Sequence, residues 1–166
     1  TLEEDNLILA LEILNQMKVD QDLTNIDRAQ MWYYFAYVNF SQDNLKAAEK
    51  DYFNFLKIEE ADPRLKANVI FSLAQISYSR EDYRKSIERM KEWLSIEANP
   101  SSTGCDIMAA AHWQLNEKKM ALKNDDTAMC VAKANSSKPR ESTYNLLLAL
   151  YNESEKTDEM LPLYKE

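Results

Sequence analysis

Four stretches of this chain repeat one another, and that self-similarity constrains the fold more than any other feature. Trp32-Tyr33-Tyr34-Phe35-Ala36 is followed by Asp43-Asn44-Leu45-Lys46-Ala47-Ala48 and Tyr52. Leu73-Ala74 is followed by Glu81-Asp82-Tyr83-Arg84-Lys85-Ser86 and Met90, and Met108-Ala109 by Leu115-Asn116-Glu117-Lys118-Lys119-Met120-Ala121. Leu146-Leu147-Leu148 and Tyr151 precede Lys156-Thr157-Asp158-Glu159-Met160. The matched positions Ala36, Ala74, Ala109 and Leu148 stand 38, 35 and 39 residues apart. A period of this size suits a helix–turn–helix unit stacked on copies of itself. A small residue midway along the first helix of a unit (helix A) lets the second (helix B) approach, and a second small residue receives it. Ala36 with Ala48, Ala74 with Ser86 and Ala109 with Ala121 fit this, whereas Leu148 with Met160 departs from it. The last unit is therefore expected to be atypical, as terminal repeats usually are.

The helix limits are marked in the sequence. Thr24 with Asp27 makes a capping-box start. Asp62-Pro63 puts a cap residue before a proline suited to the first helical position. Pro100 ends a unit, Ser101 to Thr103 offer caps, and Ser136-Ser137-Lys138-Pro139 marks another break. Ahead of the first unit, Leu7, Ala10, Leu11, Leu14 and Met17 recur at helical spacing. This lone helix, residues 2–18, resembles the helix B of a unit whose helix A lies upstream or is missing. Pro162 interrupts the final helical pattern. One glycine in 166 residues leaves too few turn residues for sheets and hairpins, so the expectation is all-α.

A net charge of −8 argues against nucleic acid, whose phosphates demand a basic stripe. No apolar run approaches the roughly 18 residues of a membrane span, so no membrane insertion of this segment is expected. The chain opens at Thr1 without a secretory pattern and is read as part of a longer protein. Two cysteines are too few for a disulfide framework or metal cluster. Cys105 opens one helix of the third unit and Cys130 closes the antiparallel one, which leaves open either a disulfide or two buried thiols. His112 is the single histidine, with no ligands at metal-binding spacing around it. Packing or a helix-surface hydrogen bond is the expectation for it. Without a glycine-rich loop, a nucleophile–histidine arrangement or a metal set, neither catalysis nor a cofactor is expected.

Period and pattern together resemble the tetratricopeptide repeat, a helix–turn–helix unit of about 34 residues. The resemblance implies a right-handed α-solenoid of about nine helices in a single domain spanning 1–166. Its repeats would fall near 29–62, 67–100, 102–135 and 141–166. In that class helix A builds an inner, concave wall. The matching positions here carry Tyr33, Tyr37 and Phe40 in the first unit and Phe71, Gln75 and Tyr78 in the second. Trp113 and Asn145 follow in the third and fourth. Aromatics with a polar handle are favoured interface anchors, so these eight residues are the expected partner-binding surface. Co-chaperone members hold a carboxylate with basic residues, but Tyr33, Tyr37 and Phe71 occupy the matching positions, which argues against such a clamp.

A finer likeness spans roughly residues 5 to 164. Its motifs are Arg28-Ala29-Gln30-Met31, Ser41-Gln42-Asp43-Asn44-Leu45, Ser72-Leu73-Ala74-Gln75, Trp93-Leu94 with Asn99-Pro100, Ala111-His112 with Gln114-Leu115-Asn116, and Lys138-Pro139-Arg140-Glu141-Ser142. These resemble the tetratricopeptide protein encoded beside TonB–ExbB–ExbD energy-transduction genes in marine gamma-proteobacteria. The resemblance implies a periplasmic, non-catalytic scaffold for TonB-dependent uptake, such as iron transport, with a protein or peptide partner among TonB, ExbB or ExbD. The rival readings are a scaffold of another envelope assembly and a regulatory domain of a larger protein.

Overall fold

The computed structural model describes residues 2–98, 100–124 and 141–153, and every regular element among them is helical. The helices are α1 (Leu2–Val19), α2 (Asn25–Ser41), α3 (Leu45–Leu56), α4 (Pro63–Ser79), α5 (Tyr83–Ile96) and α6 (Ser102–Gln114). A seventh, α7, is helical over 118–124, and α8 runs Glu141–Glu153. The chain divides into two compact units, Thr1–Ile76 and Ser77–Glu166, with the boundary inside α4. Cys130, the Ser136–Pro139 break, Met160 and Pro162 lie outside the described residues.

Local chemistry sets the helix starts. The Thr24 hydroxyl accepts from the Asp27 backbone N–H at 3.1 Å, while Asp27 accepts from the Thr24 N–H at 3.2 Å. This is the reciprocal box that the sequence predicts, satisfying two amides that α2 itself leaves unpaired. At α4 the Asp62 carboxylate accepts from the Arg64 N–H at 2.8 Å, and Pro63 takes the first helical position. Ser101 precedes α6, but its side chain makes no capping hydrogen bond. The Ser101 carbonyl accepts from Gly104 N–H instead, at 3.3 Å.

The link from helix A to helix B is built the same way three times. Asp43, Glu81 and Asn116 all take positive φ, at 58°, 62° and 58°. After α2, Asp43 N–H reaches Phe40 O and Asn44 N–H reaches Asn39 O. After α4, Glu81 N–H reaches Tyr78 O and Asp82 N–H reaches Ser77 O. After α6, Asn116 N–H reaches Trp113 O and Glu117 N–H reaches His112 O. This is the Schellman pattern, which satisfies helix-terminal carbonyls through one left-handed residue. The next residue then opens the following helix: Asp82, for example, accepts from Lys85 N–H with its side chain.

The small residues lie where the stacking argument puts them. Ala36, Ala48, Ala74, Ser86, Ala109 and Ala121 are all 0% exposed. In the first unit, Ala29 and Ala36 of α2 share one core with Ala48, Tyr52 and Phe55 of α3 and with Val69, Leu73 and Ile76 of α4. Helix α3 is thus packed by its own helix A and by the next one. Polar groups in this interior are paired. The buried Asp51 carboxylate accepts from Asn39 Nδ2 at 2.9 Å, and the Tyr52 hydroxyl bonds Ser72. Burial pushes both side chains' pKa values up. A second cluster joins Leu14 of α1 to Met31 and Phe35 of α2. In the second unit the buried Arg89 donates to Ser77 Oγ at 2.7 Å. Thr143 Oγ1 of α8 donates to Asp106 Oδ1 of α6 at 2.6 Å, and Leu147 and Tyr151 of α8 pack with Leu122 and Tyr144. At Gly104, on α6, a Cβ would stand 2.2 Å from Cζ3 of Trp93 on α5.

Candidate interaction surfaces

In the first unit the structure distributes the expected wall residues between packing and solvent. Tyr33 is half-buried, with its ring 5.9 Å from Phe55 and 5.5 Å from Tyr34. Phe40 is half-buried against the main core, and Phe71 and Gln75 are half-buried on α4. Tyr37 stands apart at 55% exposure, beside Tyr34 at 54%. Both line an apolar groove of about 460 Å³ between α1 and α2. Leu7, Ala10, Ile13 and Met17 form its α1 wall, with Met31 and Val38 opposite. A groove of this size falls in the range of small-ligand and side-chain pockets. Sequence reading placed Tyr37 on the partner-binding wall and Ala10 on the apolar stripe of α1, but did not bring them together with Tyr34 and Ile13, because the groove depends on how α1 docks on α2.

In the second unit Tyr78 is half-buried, edge-on to Tyr83 at 5.4 Å, with its hydroxyl bonded to Gln114. Burial raises the Tyr78 phenol, with Tyr83 acting in the same direction. Trp113 is half-buried and Asn145 exposed. Behind the α6–α7 turn lies a charged cleft of about 570 Å³, lined by Arg84, Lys85, Glu88, Lys91, His112 and Glu117 among others. His112, 4% exposed, places Nδ1 2.6 Å from Glu117 Oε2. A carboxylate only accepts, so Nδ1 carries the hydrogen. Arg84 reaches the other oxygen of Glu117 at 3.2 Å. The hydrogen bond with His112, then the Arg84 charge, hold the Glu117 carboxyl below its usual range. His112 therefore ties helix A to the residue that precedes the next helix, a packing and hydrogen-bonding role of the kind the sequence predicts. Cys105 is a free, buried thiol whose pKa burial raises. Among the described residues no group of three His, Cys, Asp or Glu is placed to hold a metal ion, and no helix is long and apolar enough to cross a membrane.

This arrangement is the fold of a tetratricopeptide-type helical-repeat protein, and solved structures agree. The chain matches RapI in its apo form with a TM-score of 0.81 at 16% identity, over 99% of this chain and 64% of that one. It matches BtubC from P. vanneervenii with a TM-score of 0.70 at 17% identity, covering 99% and 72%. It matches MamA with a TM-score of 0.67 at 16% identity, covering 83% and 70%. The chain thus spans about two thirds of the length of these proteins. No protein-family model and no curated protein matches it.

Proposed function

We propose that the chain is a non-catalytic scaffold that binds a protein or peptide through its helix-A faces, with Tyr33, Tyr37, Phe40, Phe71, Gln75, Tyr78, Trp113 and Asn145 as the contact set. The exposure of Tyr37 and Tyr34 on an apolar groove carries this reading. Half of a tyrosine ring held in water by a rigid helix is costly to leave uncovered, and covering it needs little ordering. The repeat fold supports the same reading, since it presents rigid helix faces rather than a reactive centre. The partner we favour is a component of a TonB–ExbB–ExbD system in the periplasm, and the support for it is the likeness of sequence motifs over roughly residues 5 to 164. Immobilised chain should retain purified periplasmic segments of TonB or ExbD, and Tyr37→Ala with Phe71→Ala should lose them while keeping the helical circular-dichroism signal. Retention unchanged in the double variant removes the contact set. Failure to retain any TonB or ExbD segment removes the transport assignment and leaves the scaffold reading to be tested with other partners.

A further inference from the structure

We draw no further inference here: the strongest candidate, the charged cleft beside the α6–α7 turn, sets Arg84, Lys85 and Lys91 against Asp82, Glu88 and Glu117, so its charge selects no ligand and nothing in the structure shows what covers it.

Discussion

A glycine inside a helix ordinarily weakens it by roughly 0.5–1 kcal/mol relative to alanine. At Gly104 that sign reverses, because a Cβ would stand 2.2 Å from the Trp93 ring, which is itself buried. Gly104→Ala is expected to lower stability by about 1–3 kcal/mol through overpacking, read as a lower urea midpoint. Any rise in stability would show that the ring yields freely. Glu117 offers a second residue-scale test. Its carboxyl lies below its ordinary value in the folded state because of His112 and Arg84. A depressed carboxylate contributes stability above the unfolded value of about 4.3, and that contribution is lost as pH falls through the folded value. The acid limb of the stability profile below about pH 4.3 should therefore flatten in Glu117→Gln. An unchanged limb would mean that other carboxylates carry it.

Among the elements, the three Schellman turns are alike in geometry and unlike in sequence. An L-residue in the left-handed region costs roughly 1–2 kcal/mol, and asparagine and aspartate bear it more easily than glutamate. Glycine removes the cost, partly offset by its larger entropy loss on folding. Glu81→Gly should therefore stabilise by about 1 kcal/mol, Asp43→Gly by less, and Asn116→Gly hardly at all, as ranked by thermal midpoints. Equal shifts at the three sites would show that the left-handed conformation is not what limits them. These turns mark where sequence reading stopped. The alanine notches and the Thr24 and Asp62-Pro63 starts were legible because each is a local residue pattern with one physical meaning. The turns were not, because glycine, the usual sign of a left-handed C′ residue, is absent from all three. The close approach at Gly104 depends on Trp93 eleven residues earlier, and no local pattern encodes it. Tyr37 was legible as a surface aromatic from the helix-A positions of the repeat class that the sequence resembles. Its groove was not, since it depends on how α1 docks on α2, which no local pattern encodes.

At the scale of the whole molecule, Tyr34 and Tyr37 are exposed while the core is built from other residues, so at this pair stability and capture should separate. Tyr34→Ser with Tyr37→Gln installs the residues that α4 carries at the equivalent positions, both compatible with a helix face. Exposed sites away from caps and core usually change stability within about 0.5 kcal/mol. The double variant should unfold with wild-type parameters yet release a captured partner faster, since lost short-range contacts act mainly on dissociation. The net charge of −8 acts at the opposite end of the encounter. A field of that sign draws a basic partner in before any contact forms, and salt screens it over about 10 Å at 0.1 M. Association rates for such a partner should fall on the order of tenfold between low and physiological salt, equally in wild type and in the tyrosine variant. Stopped-flow mixing with a captured basic protein segment reads both rates. A salt effect on dissociation alone, or a tyrosine effect on association alone, would show that charge and aromatic surface do not divide the work in this way.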